Sequence, residues 1–140
     1  MIKETELSRK FVDETIREFG SKIWIQLQRD PIRNGTPDIY SLVNGIFIPI
    51  ESKKVERESG NKILSHPFQR LQKKRMRDIL SAQGFPIGLI FHLQEKRYIL
   101  PLDIREDGDI SMEEYQKLPL FTWEEIYRVA SEAHSRRPSW

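Results

Sequence analysis

Asp38, Glu51 and Lys53 carry the strongest chemical signal in this 140-residue chain. They lie at the far ends of an otherwise apolar stretch, GTPDIYSLVNGIFIPIESKK, residues 35–54. Asn44-Gly45 in its middle is a favoured pair for a two-residue type I′ turn, because both turn positions need positive φ. With that pair as the whole turn, Val43 faces Ile46, Leu42 faces Phe47, Ile39 faces Ile50 and Asp38 faces Glu51. Side chains alternate along a strand. Ile39, Val43, Ile46, Ile48 and Ile50 therefore make a core face, and Asp38, Tyr40, Leu42, Phe47, Glu51 and Lys53 make the other. Like charges directly opposite each other on adjacent strands repel. A hard divalent cation reverses the sign of that interaction, because two carboxylates can share Mg²⁺ or Mn²⁺ while the ion keeps several waters. Lys53 projects from the same face as Glu51. An ammonium there can orient or help deprotonate an attacking water, or stabilise charge on a phosphate. The set suits metal-assisted hydrolysis of a phosphodiester.

The elements that must position these groups are legible around them. Residues 4–19 place Leu7, Phe11, Val12, Ile16 and Phe19 on one broad apolar face, which predicts a helix ending at Gly20. Residues 22–28, KIWIQLQ, alternate as a strand. RDPIRNGTP, residues 29–37, reads as a loop. After the hairpin, residues 54–66 read as a mobile loop. PFQRLQKKRMRDILSAQ reads as a second helix, with Pro67 in its first turn and Gly84 as its cap. Phe68, Leu71, Gln72, Met76, Ile79 and Leu80 share one face of it, while Arg70, Lys73, Lys74 and Arg77 lie largely on others. Residues 85–93 and 97–102 form a hairpin around Gln94, Glu95 and Lys96, followed by a polar loop. Thr122-Trp-Glu-Glu125 is a capping box that opens a last helix to about residue 134. The order of elements is that of a mixed α/β sandwich.

The totals narrow the function classes. There are no cysteines, which excludes disulfides, thiolate zinc sites and cysteine nucleophiles and fits an intracellular, cytoplasmic protein. No apolar run approaches a membrane span, and the charged start MIKETELSRK is unlike a secretory signal. Three scattered histidines make no zinc site. The absence of a G-x-x-x-x-G-K loop leaves nucleotide hydrolysis without support, so no nucleotide cofactor is expected. The net charge of +2 conceals an uneven distribution. Residues 54–77 hold eight Lys/Arg against two Glu, and residues 103–132 hold nine Asp/Glu against three Lys/Arg. A one-sided basic patch suits a polyanion.

Pro37-Asp38, then Glu51, Ser52 and Lys53, resembles the PD-(D/E)XK nuclease motif, and the element order resembles that fold's core of a mixed central sheet flanked by helices. GTPD…IESKK followed by Gln69 is similar to VRR-NUC domains. The longer pattern, through Gln69 and a basic helix to GFPIGLIFHLQEKRYILPL, resembles RecU-type Holliday junction resolvases over roughly residues 10–127. The resemblance implies one nuclease domain over residues 1–134, with 135–140 as a frayed tail. It implies Asp38, Glu51 and the Ser52 carbonyl as ligands of Mg²⁺, which Mn²⁺ can replace, and Lys53 as the catalytic lysine. Gln69 would orient a water or contact a phosphate near the site. Lys54, Arg70, Lys73, Lys74 and Arg77 would meet DNA phosphates. The implied enzyme is a homodimeric endonuclease acting on branched or duplex DNA in recombination or repair. Such families often add an acidic residue from the first helix; Glu4, Glu14 and Glu18 are the three candidates here. A VRR-NUC-like nuclease without junction specificity, a DNA-binding module that has lost catalysis, and a partner subunit for an acidic protein are the alternatives.

Overall fold

A computed structural model describes residues 3–28, 37–59, 62–65, 68–106 and 110–136. Helix α1 spans Glu4–Phe19 and buries Phe11 and Val12, with Ser8 and Thr15 on the same covered face. It stops where expected. Gly20 takes a φ of 57° and returns its N–H to the Ile16 carbonyl, a conformation that costs a residue without Cβ little. Strand β1, Ile23–Leu27, alternates buried Ile23 and Ile25 with exposed Trp24.

β2 (Ile39–Val43) and β3 (Ile46–Phe47) close the expected hairpin. Val43 pairs with Ile46, Leu42 with Phe47, and Asn44 and Gly45 both have positive φ. Pro49 then interrupts the ladder because it lacks an N–H. The register survives the interruption. Ile48 N donates to Ser41 O at 2.8 Å, and β4 (Ile50–Ser59) resumes with Ile50 opposite Ile39.

β4 is also the central strand. It pairs antiparallel with β2 and parallel with β6 (Ile87–His92), from Ile50↔Ile87 to Lys54↔Phe91. β6 turns back into β7 (Glu95–Ile99), and β1 forms the far side of the sheet against β2. The parallel pair needs a crossover, which α2 (Arg70–Ser81) supplies. Two apolar clusters cover the two faces. Phe11 and Val12 of α1 and Trp123, Ile126 and Ala130 of α4 (Trp123–Ser135) pack on Ile25, Ile39, Ile48, Ile50 and Leu89. Phe68 and Met76, with Tyr115 of α3 (Met112–Lys117), pack with Ile90 and Ile99 opposite. No helix among the described residues is long and apolar enough to cross a membrane.

Four expectations need correction. The segment read as a mobile loop is instead the outer half of β4 and a new strand, β5 (Lys62–Ser65). Ser59 pairs with Lys62, and β5 pairs in turn with β8 (Ile110–Ser111). The dense charge there hid the strand pattern. Second, the β6–β7 turn is Leu93-Gln94, one residue early, since His92 pairs with Glu95 and Leu93 takes a φ of 55°. Third, Gln69 caps α2, and Pro67 lies outside the described residues. At the other end Gln83 takes the left-handed conformation (φ 72°), while Gly84 N closes on Ile79 O at 2.9 Å. That closure brings Gly84 so near the Ile79 side chain that a Cβ would lie 2.5 Å from its Cγ2. Fourth, α3 sits inside the expected polar loop, opened by a capping box in which Ser111 Oγ accepts from Glu114 N at 3.0 Å.

The Thr122 cap of α4 is as expected, with Glu125 N donating to Thr122 Oγ1 at 3.1 Å. α4 runs to Ser135. The rest of the expected tail, 137–140, and most of the loop before β2, 29–36, lie outside the described residues.

Candidate active site

Alternation along β4 divides three consecutive residues between the two faces of the sheet. Ser52 turns toward α1, where its hydroxyl meets Ser8. Glu51 and Lys53 turn toward α2, where Gln72 and Phe68 meet them. All three are buried, at 5%, 0% and 5% exposure, although two carry ionisable groups of the kind that proteins rarely bury without a partner. The Ile39↔Ile50 pairing places Asp38 opposite Glu51.

Ser52 grips Asp38 twice. Its backbone N–H donates to Oδ1 at 2.9 Å and its hydroxyl makes a short bond to Oδ2. Burial raises the Asp38 carboxyl above its ordinary range, and the two Ser52 bonds oppose that rise. Glu51 is pushed up further, to about 8, first by burial and then by the charge of Asp38, with Lys53 opposing and Glu4 adding to it. One oxygen, Oε1, accepts from Gln72 Nε2 at 2.7 Å and lies 3.7 Å from Lys53 Nζ. The other, Oε2, is buried with no hydrogen-bond partner. A buried carboxylate oxygen left unsatisfied is costly, and this one lies on the residue that faces Asp38.

Phe68 closes the α2 side. Its ring lies 5.7 Å from Lys53 Nζ. Gly88 is the β6 neighbour of Glu51, and a Cβ there would lie 2.7 Å from Phe68 Cζ and 2.8 Å from Ile99 Cγ2. The missing side chain lets the ring lie down on the sheet beside the site.

Of the three acids on α1, Glu4 reaches the site: its Oε2 accepts from Lys54 N at 3.1 Å. Glu14 pairs instead with Lys96 at 3.8 Å and Lys10 at 4.0 Å, and Glu18 is exposed. On α2, Gln69 is exposed at the cap, and its N–H donates to Gln72 Oε1 at 2.8 Å. Gln72, not Gln69, is the glutamine that touches Glu51. Its signal was its place among apolar residues on the inward face of α2. Ser8, the other polar residue joined to the site, left the same signal on α1.

Arg70, Lys74 and Arg77 are exposed along one stripe of α2, and Lys54 is half-buried. Lys73, on the same stripe, departs from the expected solvent position. It is 7% exposed, and its Nζ is held by Glu106 at 3.1 Å. Among the described residues no group of three or more His, Asp or Glu side chains is arranged to hold an ion.

No family model matches the sequence. Among solved structures, the chain aligns with the Holliday junction resolvase Hjc of the archaeal hyperthermophile Archaeoglobus fulgidus at a TM-score of 0.60. The alignment covers 92% of this chain and 98% of Hjc, at 12% sequence identity. The chain shares the fold of that structure, a mixed sheet flanked by helices. At that identity the likeness speaks for the fold. In this sheet the residues singled out from sequence fall at the end of the β2–β3 hairpin, at Asp38, and on the central strand β4, at Glu51, Ser52 and Lys53.

Proposed function

We propose that this protein is a divalent-metal-dependent DNA endonuclease that cuts branched DNA as a homodimer, one strand per subunit. The observation that carries the reading is half-buried Asp38, held by Ser52 at the end of the hairpin, next to buried Glu51, whose Oε2 is unpartnered and whose Oε1 lies beside Lys53. Two acids gathered at one hairpin end, one of them buried, suit a hard cation, and the donor set of carboxylate and carbonyl oxygens is that of Mg²⁺ or Mn²⁺. Asp38, Glu51 and the Ser52 carbonyl would hold the ion. When bound, it supplies an activated water and a polarised phosphate.

The chain's own residues do the rest. Lys53 Nζ, fixed between Glu51 and the Phe68 ring, is placed to orient the attacking water or meet charge on the phosphate. Gln72 fixes Glu51 Oε1, and Oε2, which has no hydrogen-bond partner, is the oxygen that would bind the ion. Glu4 holds the backbone of Lys54 and adds negative charge to the site. Gln69 supports Gln72 from the cap. Arg70, Lys74 and Arg77, with Lys54, grip DNA phosphates, and Lys73 can join them only by releasing Glu106. Support for branched DNA comes from the fold shared with Hjc, which is itself a Holliday junction resolvase.

The test is a gel cleavage assay on labelled four-way junction, flap, nicked and linear duplexes with Mg²⁺, Mn²⁺ or EDTA, alongside Glu51→Gln and Lys53→Ala. Paired symmetric cuts in the junction that need metal and vanish in both variants are expected. Metal-dependent cutting of every substrate alike would leave a nuclease without junction specificity. No cutting with any metal, while DNA still binds, would overturn the enzyme reading.

A further inference from the structure

The face that α1 lays against the sheet is apolar at Phe11 and Val12 but polar at Ser8 and Thr15. The two hydroxyls do different things. Thr15 Oγ1 donates to Phe11 O at 2.9 Å and accepts from Trp123 Nε1 at 3.0 Å, which ties α1 to α4. Ser8 points at the central strand. Its Oγ, on a residue only 1% exposed, lies 2.6 Å from Ser52 Oγ on a residue with no exposure. Ser52 in turn meets Asp38 Oδ2, with Ser8 itself 3.5 Å from the same oxygen.

Proton counting gives this chain a direction. An ionised carboxylate only accepts, so Ser52 donates its one hydroxyl proton to Asp38. Ser52 Oγ can then only accept from Ser8, so Ser8 donates to it. Ser8 has another acceptor available, its own helix's Glu4 carbonyl at 3.1 Å, which is the longer bond. Two apolar residues would fill the same interface without the cost of burying polar groups. Linked hydrogen bonds polarise one another, so the Ser8 donor strengthens the bond that Ser52 makes to Asp38.

We propose that Ser8 is a positioning residue. Acting through Ser52, it fixes the Asp38 carboxylate so that its remaining lone pairs face Glu51 and are ready for a divalent cation. The inference rests on the reading of Asp38 and Glu51 as metal ligands. Groups that orient a ligand from behind typically change metal affinity 10- to 100-fold.

The test uses the full chain, stripped of metal, with Mn²⁺ alone as probe and free Mn²⁺ counted by electron paramagnetic resonance. Wild type is compared with Ser8→Ala, Ser8→Thr, Ser52→Ala, the Ser8→Ala/Ser52→Ala pair and Thr15→Ala, and each variant's DNA affinity is measured in EDTA. Ser8→Ala should weaken Mn²⁺ binding about 10-fold, Ser8→Thr should restore it, and DNA affinity in EDTA should not move. Because Ser8 acts chiefly through Ser52, its own approach to Asp38 being the longer contact at 3.5 Å, the double variant should bind Mn²⁺ about as well as Ser52→Ala alone. Thr15→Ala should melt earlier yet bind Mn²⁺ like wild type. Wild-type Mn²⁺ affinity in Ser8→Ala, or additive losses in the double variant, would overturn the role of Ser8 while leaving the metal site standing. A wild type that binds DNA but no Mn²⁺ would remove the metal reading and this inference with it.

Discussion

The electrostatic tension of the site is concentrated in Glu51. Its carboxyl is pushed up to about 8, so the metal-free native state holds a proton that the unfolded chain releases near its ordinary value of 4.5. Between those two values the native state binds more protons, and stability therefore falls as pH rises. The carboxyls pulled the other way, Glu106, Glu114 and Glu125, have already made their contribution above the ordinary carboxylate range, so they do not mask this window. Metal-free protein should thus melt at progressively lower temperature from about pH 5 to about pH 8, and Glu51→Gln should flatten that slope. A wild-type melting temperature that is level across this range would contradict it. Lys53→Ala should lower the cleavage rate by about 10²- to 10⁴-fold with DNA affinity in EDTA unchanged, read by single-turnover kinetics. These acidic and basic residues were legible in the sequence because strand alternation and a two-residue turn are local rules. Gln72 and Ser8 were not singled out, because a polar residue on an apolar helix face names no partner until the helix is docked.

Among the elements, β4 does the most. It faces Asp38 on one side, lies beside Gly88 on the other, and runs on to pair with β5. Gly88 is where that arrangement is most easily broken. In Gly88→Ala the new methyl must displace both Phe68 and Ile99, so the variant should lose about 1–3 kcal/mol of stability in denaturant melts. It should also cleave more slowly, because Phe68 is the floor under Lys53. Unchanged stability would mean that the ring has room to move. The hairpin register was fully readable, down to the pairing beyond Pro49. The outer half of β4 was not, since it pairs with β5 in a stretch dense in charge and without an apolar stripe. α3 was missed for a different reason: its capping box at Ser111 and Glu114 stands in an acidic stretch with few apolar residues to mark a buried face. The second helix was found, but its start was placed too early, at a proline rather than at Gln69.

For the molecule as a whole, charge is arranged as a basic stripe with an acidic clamp. Arg70, Lys73, Lys74 and Arg77 recur at helical spacing, and Glu106, beyond β7, closes on Lys73. DNA binding in EDTA should weaken steeply with salt, and removing Arg70 or Lys74 should each lower the slope of log affinity against log salt by about 0.9. Glu106→Gln should free Lys73 and tighten binding at low salt, while Glu113→Gln, an exposed acid on α3, should not. Equal effects from both would show that only net charge matters. The same topology bears on the order in which the site comes together in time. Asp38 meets Ser52 across 14 residues within a single hairpin, Gln72 reaches Glu51 across 21, and Ser8 reaches Ser52 across 44. Closing a longer loop takes more conformational entropy, so local contacts form first. The opposed carboxylates are therefore brought face to face before the helices that steady them arrive. A folding chain must pass through a stage at which the pair repels without support, and protons or divalent ions present during refolding should speed that stage. Stopped-flow refolding, faster at pH 6 than at pH 8 in wild type but not in Glu51→Gln, is the expected signature.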